Sequence, residues 1–255
     1  MFRLALSLIS IFALTACDTT VPEAEPQTID LQYCFTDRGA LDYDAQAVLL
    51  ACDALLAKSD QISSADLFEG LYSRGLTKRE LLDLEGSESD LRDALELEPE
   101  RDDVVRMLAW TLREKGDLES ALILYNRAIE MMPDDWQGYL SRCVVLGAGL
   151  GRYEEAVSDC QQAISLDFIT DDTVFFTSNA LNKIGSHHDA VELIEEHSDK
   201  EFTSARVYEE YIIALIRLSE HEKARRALNA AIDEYPENDR FRGLDGELKE
   251  KTTLE

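Results

Sequence analysis

The chain has 255 residues, and 52 acidic side chains against 25 lysines and arginines give it a formal net charge of −27. This charge repels phosphates and anionic lipid headgroups, so it argues against nucleic acid as a partner and against charge-driven adhesion to a membrane surface. A basic protein or peptide partner, or solubility at high ionic strength, suits the composition better.

Residues 1–16 have the features of a secretory signal. Arg3 supplies one positive charge, and residues 4–13 are almost wholly apolar but fall short of the roughly 20 residues that span a bilayer. The four residues Leu-Thr-Ala-Cys at 14–17 resemble the bacterial lipobox. The resemblance implies that Cys17 is acylated and becomes the first residue of the mature protein. An uncleaved transmembrane anchor is the alternative.

Processing at Cys17 is expected to place the protein in the bacterial cell envelope, lipid-anchored and facing the periplasm. Loss of residues 1–16 removes Arg3 and no acidic residue, so the net charge changes from −27 to −28. Residues 17–30 contain two prolines and no helical period, which predicts a semi-rigid tether. Asp18 favours the inner membrane in enteric bacteria, but this rule does not transfer between bacterial groups, so inner and outer membrane both stay open.

Residues 31–67 are expected to form an irregular helical hairpin that caps the repeats described next. An apolar-periodic segment runs from Ala45 to Leu56, and Cys34 and Cys52 lie 18 residues apart. The end of a repeat stack exposes apolar surface, and such a cap covers it.

Residues 68–238 carry an internal repeat of about 34 residues. Alanines that open apolar runs recur at intervals of 35, 34 and 34 residues, at Ala121, Ala156, Ala190 and Ala224. Prolines follow the same period, at Pro99, Pro133 and Pro236. This period predicts a stack of helix–turn–helix units rather than one globular core. Five contiguous frames result: 68–101, 102–135, 137–170, 171–204 and 205–238.

The second frame shows the repeated pattern best. Its small and apolar positions hold Leu108, Ala109, Leu112, Ala121, Tyr125, Ala128 and Pro133. Small residues let two helices approach closely, larger ones fill the seam between them, and Gly116 and Gly151 suit the turns. The pattern resembles the tetratricopeptide repeat over about two thirds of the chain. The resemblance implies an all-α fold, a right-handed superhelical solenoid of about five helical hairpins. The fourth frame is the weakest, because it lacks the terminal proline and has His197 at a small-residue position.

Four cysteines remain besides Cys17, and an even number in an oxidising compartment favours disulfides. Cys143 and Cys160 occupy the seam positions of the third frame, where facing residues come close enough for a bridge. Cys34 and Cys52 have nearly the same separation, so both pairs are expected to be bridged. Metal binding is the rival for four cysteines, but no Cys-x-x-Cys or Cys/His cluster is present. Buried free thiols are the other alternative.

Residues 239–255 are rich in charge and poor in apolar side chains. They predict a polar cap or a frayed tail at the end of the stack. No linker rich in proline, glycine or serine interrupts the repeats, so a single domain is expected.

The tetratricopeptide resemblance also implies where a partner binds. In that family the first helix of each repeat lines a concave groove, mainly through its second, fifth, ninth, twelfth and thirteenth residues. In these frames the positions hold six basic and six acidic residues, so the lining is near neutral in a strongly negative chain. The residues expected to contact a protein or peptide partner are Tyr72, Arg79, Arg106, Trp110, Arg113, Phe175, Asn179, Asn182, Lys183 and Arg217. The alternative for Trp110 is that it only packs on the neighbouring repeat.

No catalytic or cofactor-binding motif emerges from the sequence. It has no nucleophile elbow, no phosphate-cradling glycine loop and no His-Glu-x-x-His. No metal-ligand spacing holds His187, His188 and His197 on one helix face, so solvated or packing histidines are favoured over a metal site. We therefore expect no catalytic residue, no metal and no cofactor.

Together these features predict a non-enzymatic scaffold or adaptor that binds a protein or peptide partner in its groove. A role in organising or assembling the cell envelope follows from the resemblance to lipoproteins of this architecture. The alternative is an accessory subunit of an envelope hydrolase or of another enzyme complex. Homo-oligomerisation through the groove or the ends of the stack is a third possibility.

The substitution Cys17→Ser should leave an unacylated chain, because serine lacks the thiol that carries the lipid. That chain is either held by its signal sequence or cleaved elsewhere and released. Membrane fractionation and the mass of the mature N-terminus measure the outcome. An intact Met1 on the mature wild-type protein would contradict the lipoprotein interpretation.

Overall fold

The computed structural model describes residues 31–41, 43–197 and 204–253, so the signal segment, Cys17 and the tether lie outside the described residues. The described part is almost entirely helical and contains no strand, which confirms the all-α class. Its α-helices are α1 (Ala45–Leu56), α2 (Ser64–Glu80), α3 (Leu84–Leu97), α4 (Asp102–Lys115), α5 (Leu118–Met131), α6 (Trp136–Val144), α7 (Tyr153–Ser165), α8 (Asp171–Lys183), α9 (His187–His197), α10 (Ala205–Arg217), α11 (His221–Glu234) and α12 (Asp239–Thr253). None of these helices combines the length and apolar character that a bilayer crossing requires.

Ten of the helices form five antiparallel pairs that stack in chain order. The pairs are α2 with α3, α4 with α5, α6 with α7, α8 with α9, and α10 with α11. First helices of neighbouring pairs also contact one another, as α2 with α4, α6 with α8, and α8 with α10. The first helices therefore lie side by side along the inner face of the predicted right-handed superhelical solenoid.

Each pair turns back on itself through one residue in the left-handed backbone region. The five residues are Leu82, Gly116, Gly151, Gly185 and Ser219, with φ between +60° and +85°. In four of the five pairs the next amide bonds to a carbonyl five residues back, as Asp117 N–H does to Leu112 O at 2.9 Å in the last turn of α4. In the third pair the acceptor of the Arg152 amide is instead Leu146 O, which lies just after α6. This is the Schellman ending of a helix, which glycine fills most easily because it has no Cβ.

The third pair contains one residue more than its neighbours. Its left-handed residue follows the previous one after 35 positions, whereas the other intervals are 34. The chain widens into a π-helical turn over Val145–Gly149, directly after α6, and this turn accommodates the extra residue. Gly147 suits the place because a Cβ there would lie 3.2 Å from that of Ala156 on α7. The 35-residue alanine interval thus has a structural cause.

The seam between paired helices is filled by buried side chains at repeating positions. The alanines that revealed the period are fully buried: Ala121, Ala156, Ala190 and Ala224. In the second pair Leu108 and Tyr125 are buried at the seam as predicted. Ser87 stands where the other pairs have alanine, and its hydroxyl lies 3.2 Å from that of Thr111 on α4. A buried serine is tolerated here because its hydroxyl has a hydrogen-bonding partner.

Both expected disulfides are present in the structure. The Cα atoms of Cys143 and Cys160 are 5.4 Å apart, and those of Cys34 and Cys52 are 4.7 Å apart. All four side chains are buried. The bridge of the third pair joins α6 to α7 at the seam, so it reinforces a contact that apolar side chains make in the other pairs.

The N-terminal cap differs in detail from the hairpin expected over residues 31–67. It consists of a short 3₁₀ helix, Leu31–Phe35, linked to α1 by the first disulfide and packed on α2. The first pair begins four residues earlier than predicted. The Ser63 hydroxyl accepts a hydrogen bond from the Asp66 amide at 3.0 Å and so caps α2 there.

Residues 239–255 were expected as a polar cap or a frayed tail, and through Thr253 they form the capping helix α12. Phe241 and Leu248 are fully buried against the last pair, and Leu244 is partly buried between them. Three apolar residues suffice because their spacing places them on one face of the helix.

We expect the substitution Leu82→Gly to stabilise the protein. Leu82 has a φ of +65° and is 80% exposed, so little packing is lost. Glycine removes the steric cost of the left-handed conformation, about 1–2 kcal/mol. It also loses more backbone freedom on folding, which costs about 0.5–1 kcal/mol, so the net stabilisation is about 0.5 kcal/mol. The matched reverse change, Gly116→Ala at φ +85°, should destabilise by about 1 kcal/mol. Urea unfolding measures both, and a lower midpoint for Leu82→Gly would contradict this account.

Reduction of the Cys143–Cys160 bridge should lower the melting temperature of the whole stack, because neighbouring repeats stabilise one another. The bridge joins residues 17 positions apart, and closing such a loop contributes on the order of 3 kcal/mol. Thiol counting on denatured, unreduced protein tests the pairing. Two or more free thiols besides Cys17 would break at least one pair. A Cys34–Cys143 or Cys52–Cys160 peptide would show that the repeat register is wrong.

Candidate binding groove

The first helices bring the predicted groove residues to the inner face in two groups. The N-terminal group is Tyr72 and Arg79 on α2 with Arg106, Trp110 and Arg113 on α4. The C-terminal group is Phe175, Asn179, Asn182 and Lys183 on α8 with Arg217 on α10. Within each helix the spacings of three, four or seven residues place most members on one side. The two groups differ in how far their polar atoms are already paired.

Trp110 is the centre of the N-terminal group. The guanidinium carbon of Arg79, from the neighbouring pair, lies 3.9 Å from the centroid of the indole ring. The guanidinium carbon of Arg113, one turn further along α4, lies 5.6 Å from the same centroid. Both distances suit a cation–π interaction. Trp110 therefore packs on the neighbouring repeat and still keeps part of its surface exposed. We call Arg79, Trp110 and Arg113 the Trp110 cluster.

Polar atoms of the Trp110 cluster lack partners within the described part of the chain. Nε and Nη1 of Arg79 and Nε1 of Trp110 are buried and make no hydrogen bond. Burial lowers the pKa of Arg79; the negative charge of Glu114 opposes this shift, and the positive charges of Arg38 and Arg113 add to it. The cluster thus holds a partly desolvated cation without a paired anion, which costs folding free energy.

A cavity of about 190 Å³ adjoins Trp110 between α4 and α6. It is lined by Arg106, Met107, Trp110, Tyr125, Trp136, Gln137 and Ser141. Arg106 bonds to Gln137 and forms ion pairs with Asp102 and Asp135, so its charge is compensated. Aromatic walls with a few polar groups suit one side chain of a bound segment.

Trp136 is absent from the predicted groove residues, although it lines this cavity and stacks face to face on Phe168. The third frame starts at residue 137, whereas α6 starts at Trp136. The sequence feature that indicates the true start of α6 is Asp135, because aspartate favours the position before a helix. Asp135 caps α6 by accepting a hydrogen bond from the Gln137 amide at 3.0 Å.

Tyr72 belongs to a neighbouring group in which the cation is neutralised. The guanidinium carbon of Arg101 lies 4.5 Å from the Phe68 ring centroid and 6.0 Å from that of Tyr72. Arg101 also makes two hydrogen bonds to the Asp103 carboxylate, at 2.8 and 3.0 Å. Burial, helped by the charge of Asp103, raises the pKa of Tyr72 to about 12. Tyr72 therefore stays protonated at neutral pH.

The asparagines of the C-terminal group are held by a buried carboxylate of the next pair. The Asn179 amide donates to Glu210 Oε1 at 2.8 Å, and the Asn182 amide donates to Oε2 at 2.9 Å. Glu210 is only 5% exposed. His187 Nδ1 lies 3.1 Å from the Asn182 side-chain oxygen. These amides join α8 to α10 and so serve the contact between pairs rather than a free surface.

The charged residues of the C-terminal group are also mostly paired. Arg217 forms an ion pair with an acidic residue of α12 at 3.3 Å. Phe175 is covered by Arg206, whose guanidinium carbon lies 4.5 Å from the ring centroid and which pairs with Asp172. Lys183 is exposed. The inner face is therefore largely self-neutralised in its C-terminal half, and its unpaired cations concentrate at the Trp110 cluster.

One group of potential metal ligands lies on the surface of α9. The ligand atoms of His188, Asp189 and Glu192 lie within 4.8 Å of one another, and all three residues are exposed. Exposed acidic groups of this kind are common without an ion, so the group by itself carries no metal assignment.

Comparison with known proteins supports the repeat assignment. Two family models of the tetratricopeptide repeat match the sequence, one over residues 72–136 and one over residues 146–169. No curated protein sequence matches the chain.

Three solved structures illustrate the likeness in fold. A tetratricopeptide repeat protein from Parabacteroides merdae is 15% identical, with a TM-score of 0.65 over 82% of this chain and 81% of that chain. MamA is 16% identical, with a TM-score of 0.62 over 69% of this chain and 96% of that chain. YrrB, described as a tetratricopeptide repeat protein with an unusual peptide-binding site, is 15% identical, with a TM-score of 0.63 over 76% and 96%. The matched residues 72–136 and 146–169 are therefore tetratricopeptide repeats, and the stacked helix pairs share the fold of these solved structures.

Proposed function

We propose that this chain is a lipid-anchored, periplasm-facing adaptor that binds a segment of a protein partner at the Trp110 cluster. The observation that carries the proposal is a partly exposed tryptophan with two arginines against its ring and a cavity beside it. Tryptophan and arginine are enriched among the residues that dominate binding energy at protein interfaces. The cavity supplies a place for one side chain of the partner.

The repeat architecture supports a binding role. Side chains from successive first helices face one continuous inner surface, which an extended or helical segment can follow. YrrB has the same fold and is described by its peptide-binding site, so this class of function suits the present chain as well. The groove needs no catalytic group for this role, and we propose no enzymatic activity.

The proposed location rests on the lipobox at Cys17 and on the tether that follows it. An anchored groove would work close to a membrane, which suits the organisation or assembly of cell-envelope complexes. An accessory subunit of an envelope hydrolase is the second candidate, and the same groove would then hold the enzyme. The net charge of −27 favours a partner with a basic surface and disfavours nucleic acid.

The double substitution Trp110→Ala/Arg113→Ala should weaken partner binding at least about 30-fold, because truncating an aromatic hot spot costs at least about 2 kcal/mol. A photo-cross-linking amino acid in place of Glu114, which is exposed beside the cluster, should form covalent adducts with the partner in cells. The double substitution should abolish those adducts. Mass spectrometry of the adducts measures both outcomes.

The matched control is Ile123→Ala/Arg226→Ala, which removes an exposed apolar residue and an arginine from the second helices α5 and α11. It should leave the adducts unchanged, and circular dichroism should show both variants folded. Adducts from a cross-linker at position 123, with none from position 114, would place binding on the outer face and contradict the proposal. Turnover of an envelope substrate by the purified chain alone would contradict the non-enzymatic assignment.

A further inference from the structure

A cavity of about 310 Å³ lies on the outer side of the stack, between the second helices α5 and α7. A volume of this size suits a small molecule. Leu146 reaches the cavity from the π-helical turn after α6. Its polar lining consists of Asn126, Arg142, Arg152, Glu155, Ser158 and Asp159. We call it the outer cavity, and it shares no lining residue with the cavity beside Trp110.

One wall of the outer cavity is a rigidly held ion pair. Arg142 donates two hydrogen bonds to the Asp159 carboxylate, both at 2.6 Å, and a third to the Asn126 side-chain oxygen at 2.8 Å. Asp159 is only 6% exposed. The disulfide between Cys143 and Cys160 joins the residues that directly follow the two partners, so it fixes α6 to α7 beside the pair. Such support holds a binding site in one geometry before a ligand arrives.

The first pair of helices contains the same ion pair in a different setting. Arg74 makes two hydrogen bonds to the Asp90 carboxylate, at 2.7 and 2.8 Å. Lys78, one turn after Arg74, adds a second cation to that carboxylate at 2.9 Å. The residue one turn after Arg142 is Leu146, which lines the outer cavity instead. The carboxylate of the third pair therefore receives no second cation from this position.

Arg152 is unusual for its place in the repeat. It stands directly before the second helix α7 and makes no capping hydrogen bond. The corresponding residues before α3, α5 and α11 are all acidic: Asp83, Asp117 and Glu220. A positive charge at a helix N-terminus is unfavourable, and arginine is not a favoured cap. Because the stability of α7 does not explain this arginine, its place on the cavity wall points to a ligand.

The outer cavity offers unused hydrogen-bond donors in balanced charge. Arg152 donates two hydrogen bonds to the Glu155 carboxylate, both at 2.7 Å. Of the five N–H groups of each guanidinium, Arg142 thus uses three and Arg152 uses two. The Asn126 amide nitrogen and the Ser158 hydroxyl make no hydrogen bond within the described part of the chain. Two arginines face two carboxylates, so the lining carries no net charge.

We propose that the outer cavity binds a neutral saccharide. A sugar hydroxyl both donates and accepts a hydrogen bond, so it can bridge a guanidinium N–H and the carboxylate oxygen beside it. Two such guanidinium–carboxylate pairs suit a ligand with several hydroxyl groups. Leu122 and Leu146 are buried and line the same cavity, so they supply an apolar patch for the C–H groups of a sugar ring.

The lining disfavours other classes of ligand. An anion would approach Asp159 and Glu155 in a chain with a net charge of −27. A cation would be repelled by the two arginines. An apolar ligand would bury the unused donors without partners, which costs free energy.

A microarray of defined oligosaccharides tests the proposal. The labelled full-length chain in mild detergent is applied to neutral, acidic and amino-substituted sugars, and should prefer the neutral ones. Calorimetry then measures the affinity for the soluble form of the best neutral oligosaccharide. The variant Arg152→Asn/Ser158→Ala removes two donors and leaves the buried pair of Arg142 and Asp159 intact. It should bind this oligosaccharide at least tenfold more weakly.

The matched control is Arg226→Asn/Ser64→Ala, which makes the same two changes at exposed positions outside the cavity. It should retain the wild-type affinity. An equal loss in the control would show that only overall charge or composition matters, and would overturn the proposal.

The melting temperature separates binding from folding. Asparagine is a favoured cap before a helix and alanine a favoured residue within one, so Arg152→Asn/Ser158→Ala should keep or raise the melting temperature. A lower melting temperature together with lost binding would show that these side chains serve the fold, and would overturn the proposal.

The remaining outcomes distinguish this inference from the proposed function, on which it does not depend. If the wild-type chain binds no oligosaccharide, or acidic ones alone, the saccharide proposal is wrong. Unchanged affinity in Arg152→Asn/Ser158→Ala would overturn the assignment to the outer cavity. Trp110→Ala/Arg113→Ala should keep the oligosaccharide affinity, because the two cavities share no residue, and its loss would place the sugar in the groove. Protein adducts formed from position 114 would leave the groove function standing in each of these cases.

Discussion

The whole stack depends on how closely the two helices of each pair approach at one repeating position. Ala121, Ala156, Ala190 and Ala224 are fully buried there, and Ser87 takes the same place in the first pair. A larger side chain would force the helices apart, because protein interiors leave no spare volume. The first helices would then shift relative to one another, and the inner face is made of those helices. The shape of the groove is therefore set by residues that do not line it.

These local requirements explain why so much of the fold could be predicted from one sequence. Small residues at the seam and glycines such as Gly116 in the turns recur because every pair meets the same steric demand. The same register placed Cys143 opposite Cys160. The starts of α2 and α6 each depend on a single capping residue. The helix α12 depends on three apolar side chains. Such weak local signals do not stand out against an acidic background.

The groove was predictable only in part, for a different physical reason. The repeat frames placed the expected contact residues, Trp110 among them, on first helices, and the structure has them there. Their contact with a partner stays a prediction. The frames could not show that Asn179 and Asn182 bind Glu210, because these bonds join residues about 30 positions apart in different repeats. Counting charges in the lining gave a neutral average. In the structure, most positive charges of the C-terminal half form ion pairs, whereas Arg79 and Arg113 form none with the described residues. The neutral average therefore does not reveal this difference between the two halves, on which the proposed binding site rests.

The disulfide between Cys34 and Cys52 determines how a pull on the N-terminal end of the chain reaches the stack. Tension that enters before Cys34 crosses the bridge to Cys52 and continues along α1, so the segment between the two cysteines bears no load. Arg38 lies in that segment, and its hydrogen bonds to the Ser73 carbonyl and the Thr77 hydroxyl on α2, at 2.8 and 2.9 Å, are shielded from stretching. These contacts between the cap and the first pair should therefore stay formed when the chain before Cys34 is pulled.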